Sequence, residues 1–238
     1  MPKILDFKKP ESGQPFKISA KSATKAEIVI YTSIGESFWG DSLSAKQFDA
    51  ELKKLDSTVN EITVRINSPG GDVFDGVTIY NRLKQHKAKI IVQIDGLAAS
   101  IASIIALAGD EIVMGEGALF MIHLPWTYTA GNRMELDNTV NRLMDVEEQL
   151  ISIYAKKTGL GRSEIKAMLE AETWMDSDQA IEKGFVDKTS TESLPIAASA
   201  MDSKWILRKP KNYNSETAAI DKVLINLKTK ISERITRK

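Results

Sequence analysis

The first group in this sequence suited to covalent chemistry is a hydroxyl at a strand-to-helix turn. In Asp95-Gly96-Leu97-Ala98-Ala99-Ser100-Ile101-Ala102-Ser103 an apolar strand passes through Gly and small residues into a helix, with Ser100 at the join. That placement repeats the logic of a nucleophile elbow, in which a hydroxyl sits beside the free backbone donors of a helix start. On spacing alone, a Ser helix cap is the commoner reason for a serine there. A serine hydroxyl is inert at neutral pH until a base takes its proton, and the chain holds two histidines. His86, in NRLKQHKAK, lies at a polar helix end and reads as a surface residue. His123, in ALFMIHLPW, is the one titratable side chain of an apolar run ending a strand. A structurally hydrogen-bonded core histidine is the plainer reading, but a base acting on Ser100 would have to be His123.

An imidazole in that role needs a carboxylate to fix its tautomer and stabilise its charged form. The candidates lie in Glu170-Ala171-Glu172-Thr173-Trp174-Met175-Asp176-Ser177-Asp178. Asp176, with Gln179 after it, resembles a helix capping box. Asp178 then falls in the first turn, where negative charge suits the helix dipole. Glu172 has no such duty and is the better orienting carboxylate. A second sharp turn, Ile66-Asn67-Ser68-Pro69-Gly70-Gly71-Asp72, also joins a strand to a helix. Paired glycines permit positive φ and close backbone approach, and a helix start offers unpaired N–H groups. Such a turn suits a phosphate or a developing oxyanion equally well. It is not a dinucleotide fingerprint, because Gly76 is wrongly spaced and no acidic residue ends the next strand appropriately.

The elements that must position these groups follow from periodicity. Strands are predicted at Glu27–Ser33, Ile62–Asn67, Ile90–Ile94, Glu111–Met114 and Leu119–His123. Helices are predicted at Ser44–Leu55, capped by its serine, at Val73–His86, at Ala99–Ala108, and over the long stretch Met134–Lys157. The last carries Leu136, Val140, Leu143, Val146, Leu150, Ile153 and Tyr154 at spacings of three and four. Alternating strands and helices imply an α/β fold of βαβ units around a parallel sheet. The 238 residues allow one domain with extensions or two small domains. Residues 1–26 read as a polar N-terminal arm, 27–188 as the chemical domain, 189–203 as a Ser/Thr/Ala linker and 204–238 as a basic extension.

Composition narrows the classes further. With no Cys, a disulfide framework, a thiolate zinc site and a cysteine nucleophile are excluded. No apolar run of about 18 residues is free of polar side chains. The opening MPKILDFKKPES is charged where a signal peptide needs an apolar stretch. The expectation is a cytoplasmic protein with no membrane partner, no metal and no cofactor. Lys+Arg and Asp+Glu balance at 32 each, yet from Lys204 onward there are ten basic and three acidic residues. A basic segment on an acidic body reads as an interaction segment or as a solvated helix face. Within it Ile220, Leu224, Leu227 and Ile231 predict an amphipathic helix that packs on its own core, pairs with a copy or binds a partner. The absence of interleaved aromatics argues against nucleic acid as that partner.

Taken together, INSPGGDVFDGVTIYNRL, DGLAASIAS, ALFMIHLP and AETWMDSDQAIEKGFVD, in this order from about Glu27 to Lys188, resemble the proteolytic subunit of the Clp protease (ClpP, serine peptidase family S14). The resemblance implies the ClpP/crotonase-like fold, with the Met134–Lys157 helix as the protruding handle that interdigitates two rings. By position it makes Ser100 the nucleophile and His123 the base, with the amides of Gly71 and Ile101 as the oxyanion hole. Gly70, Leu124 and Pro125 would flank the substrate, extended between the segments after Gly71 and after His123. The family's third member is normally Asp, and the matching residue is Glu172. Its extra methylene requires either a backbone set further back or a looser contact. The arm before Glu27 departs from the family's N-terminal loop pattern.

The local texture (GESFWG, VFDGVTIYNRLK, MIHLPW, AETWM) is similar to the head-maturation proteases of tailed phages and prophages. That branch implies capsid or scaffold proteins as substrates, inside a host cytoplasm or an assembling prohead. The alternatives are a housekeeping ClpP subunit working with a Clp-type unfoldase, a crotonase-type acyl-CoA enzyme, which would normally have Gly at position 100, and a non-catalytic ring-forming protein. A Ser–Lys dyad is disfavoured, since no Lys lies in the apolar elements.

Overall fold

β-Branched residues alternating with polar ones make one sheet face the natural place for this chain's core. The computed structural model describes residues 16–36, 42–55 and 57–190, all within the unit Glu11–Leu194. Its strands are β1 (Phe16–Ala20), β2 (Lys25–Ile30), β3 (Ser33–Ile34), β4 (Ser42–Leu43), β5 (Glu61–Ser68), β6 (Lys89–Ala99), β7 (Glu111–Gly115), β8 (Leu119–Ile122), β9 (Thr173–Met175) and β10 (Lys188–Ser190). Its helices are α1 (Ala45–Leu52), α2 (Val73–Lys84), α3 (Ile101–Ala106), α4 (Arg133–Thr158), α5 (Arg162–Glu170) and α6 (Ser177–Glu182). The main sheet runs β1-β2-β5-β6-β7-β10, with β8 joined to β6 and β9 joined to β8. All pairs in it are parallel except β1–β2 and β8–β9. This is the expected α/β architecture.

Ile28, Ile30, Ile62, Val64, Ile66, Ile90, Val92 and Ile94 point to one side and are buried. Phe48 and Leu52 of α1, Ile79 and Leu83 of α2, and all six residues of α3 are buried with them. The other side carries half-buried polar residues, among them Arg65 and Asp95, paired at 2.7 Å. The Ser44 cap of α1 is present and forms a capping box with Gln47. Asp176 likewise forms the capping box with Gln179 at the start of α6, which settles it as a structural residue.

Two expectations need correction. The N-terminal arm, set at 1–26, contains β1, which pairs antiparallel with β2 from Phe16↔Ile30 to Ala20↔Ala26. Phe16 and Ile18 pack against the core, and the surrounding Lys and Ser residues hide their alternation. Thr189 and Ser190, assigned to the linker, belong to β10 beside β7. In α4 the buried residues are Leu150, Ile151 and Tyr154, while Leu136, Val140 and Met144 are exposed, in keeping with a protruding helix. The helix packs on the core mainly through its C-terminal part. The extension 204–238 with its amphipathic pattern, and the rest of the linker and arm, lie outside the described residues. Among the described residues, no helix is long and apolar enough to cross a membrane.

Candidate active site

Strand register brings the candidate groups together. β6 is 11 residues long and changes neighbour along its length: Ile91–Ile94 pair with β7, then Leu97–Ala99 pair with β8. Gly96 lies between the two stretches, where an added Cβ would stand 3.0 Å from Asn67 Oδ1. The bare backbone there lets β6 pass close to the end of β5. Because Ala99 pairs with Met121, β6 and β8 end side by side, and the Ser100 amide donates to the Met121 carbonyl (3.0 Å). The next two residues along the chain are Ile122 and His123. Across β8, the antiparallel register Met121↔Trp174, Ile122↔Thr173, continued by one residue, sets Glu172 opposite His123.

Ser100 Oγ lies 2.8 Å from His123 Nε2. Ser100 does occupy the N-cap position of α3, but its side chain caps nothing. The hydroxyl therefore serves the imidazole, and the helix-cap reading falls. Its backbone is strained, at φ 54° and ψ −128°, a conformation that costs a non-glycine residue about 1–3 kcal/mol and survives only where the surroundings enforce it. His123 is half-buried, and burial pushes its pKa below the ordinary histidine value, with the nearby Glu172 charge opposing that shift. The ring is thus neutral at neutral pH, as a proton acceptor must be. His86 instead accepts the Ala88 amide through Nδ1 (3.1 Å), a local turn contact.

Glu172 reaches His123 through charge, not through a hydrogen bond among the described residues. Its Oε1 accepts from the indole Nε1 of Trp174 at 3.2 Å, and its own backbone has φ 50°. Sequence reasoning missed this anchor. A Trp two residues after the carboxylate was the available signal. The longer side chain is thus held by the indole through one of its two oxygens.

The glycine turn completes the site. Ser68 pairs with Ala98, so Pro69-Gly70-Gly71 continues alongside Ala99 and Ser100. A Cβ on Gly70 would lie 2.7 Å from both the Ala99 carbonyl oxygen and Ser100 Cβ, and 3.0 Å from the Ile101 nitrogen. The bridge between Ile34 and Gly71 uses the amides of Ile34 (to Gly70 O, 2.9 Å) and Asp72 (to Ile34 O, 2.9 Å), which leaves the Gly71 amide out of the ladder. The Ile101 amide, first in α3, has no carbonyl four residues back in its helix. Two backbone amides without a ladder or helix bond thus belong to the two turns that meet at Ser100, a composition suited to a developing oxyanion. Leu124, whose amide donates to Leu169 O (3.2 Å), and Pro125 follow His123 half-buried along the rim. Among the described residues, no group of three His, Cys, Asp or Glu side chains is placed to hold a metal ion.

The family model described as Clp protease matches residues 14–193. The chain is 29% identical over 152 residues to the ATP-dependent Clp protease proteolytic subunit of Deinococcus radiodurans, covering 62% of this chain and 74% of that protein. It is also 29% identical over 168 residues to the corresponding subunit of Streptococcus pneumoniae, covering 69% and 84%. Among solved structures, a point mutant of ClpP1 from Listeria monocytogenes superposes with a TM-score of 0.60 at 25% identity, covering 72% of this chain and 93% of that one.

Proposed function

We propose, from the premise that this chain belongs to the Clp protease family and is a ClpP-type serine peptidase, that Ser100 is its nucleophile. Ser100 Oγ attacks the peptide carbonyl as His123 Nε2 takes its proton. The amides of Gly71 and Ile101 bind the oxygen that becomes negative, and His123 returns the proton to the leaving amine. Glu172, held by Trp174, stabilises the transient imidazolium. The substrate would lie extended past Gly70 and along Leu124 and Pro125, adding a strand. The observation that carries this reading is the 2.8 Å contact between Ser100 Oγ and His123 Nε2. It also separates the peptidase from a crotonase-type enzyme, which has no use for such a pair. A fluorophosphonate probe should label the protein at Ser100 alone, located by mass spectrometry of the peptide that spans it. Coenzyme A binding without labelling would overturn the assignment.

The role of Glu172 has its own test. Catalysis needs neutral His123, and Glu172 is what raises that histidine's pKa. In Glu172→Gln the acid limb of kcat/KM should therefore move to lower pH while the plateau falls. The fall should be about 10- to 100-fold, short of the ~10⁴ carried by a buried aspartate hydrogen-bonded to its histidine. An acid limb that stays put or moves up would remove Glu172 from the mechanism.

The relatives are named as proteolytic subunits of an ATP-dependent protease. This favours a subunit that self-associates into rings and degrades proteins handed over by an unfoldase. The exposed Leu136–Val140–Met144 stripe of α4 offers the surface for such association. The phage head-maturation role, with capsid or scaffold substrates, rests on the local sequence texture alone. The genes flanking this one decide between them: an unfoldase neighbour supports the first, portal and capsid neighbours the second.

A further inference from the structure

Beneath Ser100 lies a buried pair of hydroxyls that the proposed mechanism does not use. Ser103 Oγ is 2.5 Å from the Ser100 carbonyl oxygen and 2.7 Å from Tyr154 OH. Both residues are buried, at 0% and 2% exposure. A carbonyl only accepts, so the single Ser103 proton is committed to Ser100 O, and the Tyr154 hydroxyl must donate to Ser103 Oγ. Burial pushes the Tyr154 pKa well above its ordinary value, which keeps that proton in place. The ring packs edge-on against Phe185 at 5.9 Å, a duty phenylalanine would meet equally well. The hydroxyl therefore has a purpose beyond filling space.

The Ser100 carbonyl and the Ile101 N–H belong to one peptide unit. We propose that the Tyr154–Ser103 relay orients and polarises this peptide, making Tyr154 and Ser103 positioning residues for the Ile101 oxyanion donor. Hydrogen bonds in series strengthen one another in a low-dielectric interior. Donation into the carbonyl draws charge from the amide nitrogen and makes its N–H a better donor at the far end. The same bond joins that of the Ser103 amide, which donates to the same carbonyl at 3.0 Å, in pinning the turn at the strained Ser100 backbone. This rests on the assignment of Ser100 and Ile101 given above.

The test is Tyr154→Phe, with activity counted per site titrated by a fluorophosphonate so that unfolded protein does not enter. Removing a whole oxyanion donor costs about 10²–10³ in kcat; weakening one should cost about 5- to 20-fold. KM should hold within about twofold, since ground-state binding is untouched. The affinity of a peptide boronate, whose tetrahedral adduct occupies the hole, should fall by the same factor as kcat. Ser103→Ala should reproduce both changes, and the double variant should add little, because the two act as one chain. A purely structural tyrosine would lower thermal stability and leave kcat per titrated site and boronate affinity alone. That result in both variants overturns the proposal. If Tyr154→Phe gives no titratable protein, Ser103→Ala decides by itself, as it removes one oxygen and no packing surface. Absence of labelling at Ser100 in the parent would overturn the underlying site assignment as well, whereas a labelled parent with unchanged variants defeats the relay alone.

Discussion

Ser100→Ala should abolish peptide hydrolysis while leaving the fold intact. Loss of the nucleophile or base from a serine protease costs about 2 × 10⁶ in kcat, because the remaining members have nothing to act on. Ordinarily such a change at a helix N-cap would also cost about 1 kcal/mol of stability. Here it should not, since the Ser100 side chain makes no capping bond and its hydroxyl is engaged with His123. Alanine is no worse than serine at φ 54°, and the half-buried imidazole can bond water in place of the hydroxyl. The expected result is a Tm unchanged within a few degrees, lost fluorophosphonate labelling and no detectable cleavage. Substantial residual turnover would mean that another group attacks the substrate. A large drop in Tm would mean that the hydroxyl is structural after all.

Much of this site was legible because its parts end strands. Apolar alternation marked β5, β6 and β8, and the residues just past each (Gly70, Ser100, His123) were the natural candidates. The boundary of β6 was less visible: the sequence pattern stops at Ile94, while the strand runs to Ala99. Its last residues include Gly and Ala, which carry little strand propensity and are strand only because β8 pairs with this stretch. The Glu172 position followed from elimination against the Asp176 capping box, which the structure contains. The Trp two residues on was the one signal for its bond to Trp174, but the contact itself depends on the φ 50° kink at Glu172, which no periodic pattern announces. Tyr154 looked like one more apolar member of the α4 stripe. Its partner Ser103 lies 51 residues earlier in the chain, and no periodic pattern connects them. At Leu136 and Val140 the stripe is exposed, since helical spacing reports an apolar face without reporting what covers it.

Gly71→Ala carries the other large effect. Gly71 sits at φ 147°, and a Cβ there would stand 2.0 Å from the Ile34 carbonyl oxygen. That oxygen is fixed: it accepts from Asp72, while the Ile34 amide is spent on Gly70 and the Gly35 amide on Leu43 (2.8 Å). Neither backbone can yield without breaking the bridge, so the Gly71 peptide must rotate and carry its amide away from the oxyanion. A lost oxyanion donor costs about 10²–10³ in kcat, and the strained backbone about 1–3 kcal/mol in stability. Gly117→Ala separates the two effects. Gly117 also has positive φ (76°), but nothing lies within 4 Å of its Cβ position, and it precedes β8 at the end away from His123. The control should lose stability to a similar degree and keep its activity per folded molecule, while Gly71→Ala loses both. If Gly71→Ala retained kcat/KM within about threefold of the parent, the Gly71 amide could not be an oxyanion donor, and the glycine pair would be only a tight turn.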